Sequence, residues 1–374
     1  MIKYLTFFLL FGLPFIVLPF GASPFEIPKV FLAEITIILL TLIWIFQKNH
    51  TWKSFSLKEW WPFAVLILLG LTHLIFLNTP TTFFGNTFRL QGVFLLWNLL
   101  IFAYLALPVK TNKIPFYLPL LALVGLVGSS FLVSGNEVSR GVGTLGEPNS
   151  LAAAGIFLWS FLFFSQSKLI WRLIGPILAL ALVFASGSRS GLVALGLQIF
   201  FLFLIKFIKL SHLKSLITTL CLLILSWSLS LIEGGGWFEN RAEIWQTAAL
   251  SGLESPLLGH GLGNIEQSLK ETSQLLNNNI RYQYVDSAHN FLLDYWVQGG
   301  IVGIAVIIWL LGQTFKKFSS QRKNLEAASL IGLLTMMSFN PMSVVILIYF
   351  WWLIGQGLVK KEEVYLYDAS DPRS

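Results

Sequence analysis

His289 stands where Ser287-Ala288-His289-Asn290 enters a long apolar run. A helix is expected to begin there, with Ser287 as its cap, and a helix N-terminus disfavours an imidazolium. A neutral imidazole in that place can accept a proton from a hydroxyl, which is general-base chemistry. The same helix side carries Leu292, Leu293 and Trp296, so a packed interfacial histidine is the competing reading. Asn290 and Asp294 are spaced four apart and could pair on an adjoining side. Upstream, Arg189 lies in the very short turn Ser186-Gly187-Ser188-Arg189-Ser190-Gly191, and Arg241 opens Asn240-Arg241-Ala242-Glu243-Ile244-Trp245. A guanidinium offers a planar fork of donors matched to phosphate oxygens and keeps its charge when buried.

The elements that must position these groups are membrane helices. Of 374 residues, 55% are hydrophobic and only 11% charged. Mean hydropathy is +0.74, outside the range of a soluble domain. Continuous apolar runs rather than two-residue alternation exclude a β-barrel. Twelve runs approach the roughly 30 Å needed to cross hydrocarbon. They are 4–20, 30–46, 62–77, 92–107, 115–133, 151–165, 169–185, 191–208, 214–232, 290–311, 325–340 and 342–358. The chain is therefore expected to be all-α, a single polytopic membrane domain over residues 1–374. The single cysteine, Cys221, lies in an apolar run, so no disulfide framework or thiolate metal site is expected.

Basic residues orient the bundle. With the N-terminus in the cytoplasm, 18 of the 25 lysines and arginines face inward, which also explains the pI near 9.4 without nucleic acid. Both termini are then cytoplasmic, with residues 359–374 as a tail. The long polar segment 233–288, between the ninth and tenth runs, faces outward as a large, partly helical loop. The seven outer cations are Lys29, Arg89, Arg140, Arg189, Arg241, Lys270 and Arg281, five of them arginine. Lysine suffices for topology, so an arginine-selective outer face suggests a di- or polyanionic ligand at the membrane surface. Any one of these arginines could instead pair with an outer acid such as Glu137, Glu147, Glu239, Glu243 or Asp286.

Arg189 is expected at interface depth, where glycine and serine leave backbone N–H groups open to an anion. Arg89, within Phe84-Gly85-Asn86-Thr87-Phe88-Arg89-Leu90-Gln91-Gly92, sits among aromatics that suit sugar stacking and equally an aromatic interface belt. Arg140 and Asn149 belong to the glycine-rich outer loop Arg140-Gly141-Val142-Gly143-Thr144-Leu145-Gly146-Glu147-Pro148-Asn149-Ser150, where Asn149 or Ser150 is expected to cap the next helix. Asn240 and Glu243 fit a capping box for a helix reaching about Leu253, whose apolar side could lie along the membrane surface. Gly259-His260-Gly261-Leu262-Gly263-Asn264 lacks the spacing and preceding strand of a dinucleotide fingerprint, and that reading is rejected.

Taken in order, several segments resemble the O-antigen ligase and polymerase superfamily. They are the Ser-Gly-Ser-Arg-Ser-Gly turn at 186–191, Asn-Arg-Ala-Glu-Ile-Trp at 240–245 and Pro-Leu-Leu-Gly-His-Gly-Leu-Gly-Asn at 256–264. With them go Ala-His-Asn-Phe-Leu-Leu-Asp-Tyr-Trp from 288 and Gly299-Gly300, and Gly-Thr-Leu-Gly-Glu-Pro-Asn-Ser-Leu-Ala at 143–152, where the family often has Asn in place of Glu147. The resemblance covers most of the chain, including the helix number and the large outer loop.

It implies a GT-C-like, metal-independent, inverting glycosyltransferase of the bacterial cytoplasmic membrane, without a cofactor. The implied donor is a glycan on undecaprenyl pyrophosphate, and the acceptor a glycolipid, glycan or protein. Arg189 and Arg241 match the family's pyrophosphate-engaging arginines and His289 its essential histidine. Arg140, Asn149, Arg281, Asn290 and Arg89 are the substrate-binding candidates. Ligation, repeat-unit polymerisation and protein glycosylation are all compatible with these motifs. A lipid-linked sugar transporter is the reading from another class, and it would call for internal repeats and broken midplane helices.

Overall fold

The computed structural model describes residues 1–47, 57–106, 109, 114–133, 140–165, 169–230, 241–278 and 286–358. Helix α1 (Ile2–Phe7) runs on through a wide and then a tight turn to Phe15. There follow α2 (Ile27–Phe46), α3 (Leu57–Leu77), the short α4 (Pro80–Phe84), α5 (Val93–Leu105) and α6 (Tyr117–Leu132). Next come α7 (Pro148–Ser165), α8 (Leu169–Ser186), α9 (Arg189–Lys206) and α10 (His212–Ser230). The chain continues through α11 (Arg241–Glu254), α12 (Ile265–Leu276), α13 (Phe291–Ser320), α14 (Asn324–Met337) and α15 (Val344–Leu358). There is no strand among the described residues.

Four of these helices, α2, α3 from Trp60, α9 and α13, are long and apolar enough to cross a membrane. Eight shorter apolar helices coincide with the remaining expected runs. Among the described residues there are thus four spans by length, where twelve runs were expected to approach that length. Helices α14 and α15 fall short at 14 and 15 residues, and both lie in the interior of the bundle. Nearly all their residues are buried, with Tyr349, Trp351 and Trp352 completely so. Tyr349 stacks on Phe157 of α7 with ring centroids 3.9 Å apart. The surrounding helices present the apolar exterior, with Ile35 and Leu42 of α2, Ile75 and Phe76 of α3, Ile177 and Phe184 of α8, and Ile217 and Ile224 of α10 exposed.

Contacts at the two ends of the bundle sort its residues. At one end Lys323 Nζ donates to Gln356 O at 3.1 Å and Gln356 Nε2 to Ala106 O at 3.2 Å. At the other, Val344 N–H donates to Glu26, and Asn340 Nδ2 donates to Ser190 Oγ at 2.9 Å. This second end holds the N-termini of α2, α7, α9, α13 and α15. Lys29, counted among the outer cations, is completely buried there and donates to Phe25 O and Thr144 O. It pins the 143–146 turn.

Helix α13 is broken at Gly300, which has φ 58° and ψ −155°. The glycine-rich segment 255–264 enters the break. His260 N–H donates to Val297 O at 2.8 Å and Gly261 N–H to Gln298 O at 3.1 Å. In return Ile301 N–H reaches Pro256 O at 2.8 Å, and Val302 N–H reaches Leu257 O at 3.4 Å. His73 of α3 fastens the segment from the other side, Nε2–H donating to Leu258 O at 2.9 Å while Nδ1 accepts from Leu262 N–H at 3.2 Å. Irregular backbone is stable in an apolar bundle when its freed groups are paired in this way.

The sequence motif rejected as a nucleotide site is therefore a plug for the broken helix. Gly259 has φ +75°, and a Cβ there would lie 2.4 Å from the Gln298 carbonyl carbon. Gly259→Ala is expected to cost about 2 kcal/mol, read as a lower unfolding temperature of the purified chain. An unchanged melting curve would contradict this packing.

Candidate functional site

The polar end of the bundle gathers most of the candidate residues. Gly187, with φ +58°, ends α8, and Ser188 caps α9 by accepting Gly191 N–H at 3.1 Å. Arg189 is therefore the first residue of α9, and it is exposed. The turn is braced from α7, as Ser188 Oγ–H donates to Asn149 Oδ1 at 2.8 Å. Arg140 donates through Nε to Ser186 O at 2.7 Å and reaches Asn149 Oδ1 at 3.5 Å. Arg140 and Asn149 thus hold the Arg189 turn in shape. Helix α7 begins at Pro148, so Glu147 occupies the cap position expected for Asn149 or Ser150. Ser150 Oγ–H donates to the Glu147 carboxylate at 2.9 Å.

Arg241 begins α11, in agreement with the expected helix start, and the helix ends at Glu254. Its apolar side, expected along the membrane surface, packs largely against protein, with Leu253 at its end exposed. Ile244, Trp245 and Ala248 are buried. Trp245 lies 6.2 Å from Phe339 and 6.5 Å from Trp227, ring to ring, and Trp296 of α13 donates to Ala249 O at 3.0 Å. Protein burial of that face satisfies it better than an interface would. Asn240, the other half of the expected capping box, lies outside the described residues, as do Arg281 and the 359–374 tail.

His289 does not sit in the first helical turn. It precedes the helix in the left-handed region at φ +54°, and Asn290 is the cap, its Oδ1 accepting Leu292 N–H at 3.1 Å and Leu293 N–H at 3.4 Å. A non-glycine residue at positive φ is held there by its surroundings, and such strain gathers at functional sites. The surroundings here are explicit. Ser287 Oγ accepts His289 N–H at 2.9 Å, and Asp294 Oδ1 accepts Ala288 N–H at 2.7 Å. Asp294 is therefore engaged with Ala288, and the expected side-chain pair with Asn290 is replaced by a backbone bond, Asp294 N–H to Asn290 O at 2.8 Å.

The His289 ring is half-buried, with Nδ1 shut from solvent and unpartnered among the described residues. Its pKa is held well below the ordinary 6.5, first by burial and then by the charges of Arg241 and Arg89. The imidazole is neutral as a result. Those two arginines come from α11 and from the turn before α5, and the charge of each is felt at the histidine.

Arg89 is itself compensated. Its Nε donates to Asp286 at 2.5 Å, Glu147 lies 3.9 Å away, and Nη1 donates to Met342 O at 3.3 Å. Burial opposes its charge, but Glu147 and Asp286 outweigh that and raise its pKa. Glu26, at the start of α2, is pushed up to about 7 by burial against the pull of Arg89. A polar cavity of about 40 Å³ lies alongside, lined in part by Arg89, Asp286, Ser287 and Asp294. The Arg89–Asp286 pair spans 197 residues of sequence, and no local signal announces it. The Gly300 break had a signal, the Gly299-Gly300 pair inside an apolar run.

Comparison with known proteins adds the family. Residues 174–308 match the family model described as O-antigen ligase. No curated protein matches the chain. The matched segment holds the Arg189 turn, Arg241, the plug of the broken helix and His289. With the apolar helices, it indicates a multi-pass bacterial inner-membrane enzyme of glycosyltransferase type, acting on a lipid-linked glycan. Over that segment the chain is similar to the O-antigen ligase family, and the match supports the O-antigen ligase and polymerase superfamily.

Proposed function

We propose that the chain transfers a glycan from undecaprenyl pyrophosphate to an acceptor hydroxyl at the outer face of the cytoplasmic membrane, as an O-antigen ligase does. The observation that carries this reading is His289 held at positive φ before α13, with Nδ1 shut from solvent and the ring in the field of Arg241. The acceptor O–H attacks the anomeric carbon, and His289 takes its proton. The new C–O bond forms as the bond from the anomeric carbon to the pyrophosphate oxygen breaks on the opposite face, inverting the centre. The lipid pyrophosphate leaves as an anion between Arg189 and Arg241. Arginines aimed at developing phosphate charge stabilise the transition state, and such a mechanism is complete without a metal.

The donor also tunes the base. A diphosphate beside Arg241 offsets the positive field that keeps the imidazole pKa low, so basicity rises when the donor is in place. Both termini lie in the cytoplasm on this reading, and the 233–288 loop, with Arg281, covers the donor from outside.

Mass spectrometry of surface and lipid-linked glycans after deleting the gene tests the proposal. Long chains retained on undecaprenyl pyrophosphate are expected for ligation. Single repeat units on the lipid would instead indicate polymerisation, and unaltered glycans would refute glycosyl transfer. A pH profile gives a second test. His289 has a folded pKa below 6.5, so the base stays neutral as pH falls through 6.5 and is lost only further down. kcat/KM, which reports the free enzyme, is expected to hold between pH 7.5 and 6.5, and an acid limb in it centred at 6.5 or above would remove His289 from the role.

A further inference from the structure

We infer that Arg89 is a positioning residue for glycosyl transfer, which through Asp286 and Met342 fixes the His289 segment against the Arg189 turn. The inference rests on the transfer reading above and assigns Arg89 a part different from donor binding. Two carboxylates, Asp286 and Glu147, already face its guanidinium, and a carbonyl takes Nη1. A pyrophosphate brought there would meet those carboxylates, and like charges disfavour it.

The geometry offers something else. Asp286 lies three residues before His289, and the residues between them are pinned, Ser287 by the His289 N–H and Ala288 by Asp294. On the far side of Arg89, Met342 O accepts from both Arg89 and Gln91. Two residues before Met342, Asn340 donates to Ser190, the neighbour of Arg189. Glu147 leads to the same place, because the adjacent α7 turn carries Asn149, which accepts from Ser188. Arg89 is thus where the histidine's segment and the arginine's turn meet. Its own position is set by Asn86, whose Oδ1 accepts Arg89 N–H at 2.8 Å while its amide donates to Glu266 of α12 at 3.2 Å.

Displacement at a carbon needs base and leaving-group site held in register, and a misplacement of about 1 Å lowers rate on the order of 100-fold. Arg89 touches neither reacting atom in this account. It acts through the backbone it anchors.

The test uses the full chain in nanodiscs. Undecaprenyl pyrophosphate is the binding probe, and turnover is read as loss of glycan from lipid-pyrophosphate-linked oligosaccharide drawn from the source membranes. Asp286→Asn keeps an acceptor for Arg89 and leaves Glu147 to answer its charge, so it is the milder variant for the fold, checked by its thermal melt. Its turnover is expected to fall roughly 10- to 100-fold with probe affinity within about threefold of the parent. Arg89→Lys should behave alike, since one ammonium cannot hold both carboxylates and the Met342 carbonyl together. The double variant should be no slower than the slower single. Probe affinity falling as far as turnover would make Arg89 a donor ligand and overturn the inference, as would normal turnover in Asp286→Asn. His289→Ala run alongside keeps the two readings apart. If that variant still transfers glycan, the base assignment fails whatever the Arg89 series shows.

Discussion

His289→Ala should abolish most transfer while leaving the donor bound. General-base catalysis contributes on the order of 100- to 10,000-fold, and that is the expected loss in turnover number. Affinity for undecaprenyl pyrophosphate should hold or rise slightly. The imidazole contributes no charge to the site at neutral pH, and removing a half-buried ring leaves Arg189 and Arg241 in place. The backbone at position 289 complicates the choice of variant. It lies at φ +54°, where alanine is strained, so His289→Asn, whose side chain tolerates that region, belongs beside it. Both variants slow with donor affinity kept is the expected pattern. A transporter would keep moving its lipid-linked substrate with either substitution, so retained transport with retained glycan structure would defeat the catalytic assignment.

Arg89→Met should be the most destabilising single change at the site. The side chain is 17% exposed, and its partner Asp286 19%. Removing one member of a largely buried pair leaves the other's charge uncompensated, which typically costs about 3–5 kcal/mol. Here the effect reaches three acids, Asp286, Glu147 and Glu26. The deficit should depend on pH with a definite sign. Without Arg89 the Glu26 carboxyl, already pushed up to about 7 by burial, binds its proton more tightly in the folded chain, so folding stability relative to the parent recovers as pH falls from 8 toward 5. Thermal melts of both proteins across that range provide the check. A deficit independent of pH would mean that packing of the arginine stem, rather than its charge, was lost.

The candidate site was partly legible in the residues themselves. Arg189 was expected in the short turn between two apolar runs, and the structure makes it the first residue of α9, with Ser188 as cap and Gly187 at positive φ. Arg241 was legible as a helix start from the capping pattern of Asn240 and Glu243. The identity of His289 was visible, but its setting was not. Ser287 looked like the cap, whereas Asn290 caps the helix and Ser287 holds the histidine's N–H, so the two polar residues exchange roles. Arg140, Asn149 and Arg89 read as ligand donors because their partners could not be seen. The structure shows Arg140 on the Ser186 carbonyl, Asn149 under Ser188, and Arg89 between Asp286 and Glu147. Each pairing joins segments far apart in the chain.

Sequence alone determined that this chain is built of apolar helices of membrane type, and it singled out Arg189, Arg241 and His289 as residues bordering them. Those facts follow from hydropathy, charge and spacing, which act within a single helix or turn. Tertiary structure decided which apolar helices are hidden from lipid, that α13 breaks at Gly300 to admit the 255–264 segment, and which arginines have their charge answered inside the protein. Those depend on what arrives from elsewhere in the chain. An arginine's chemistry at this site follows from whether a carboxylate reaches it first.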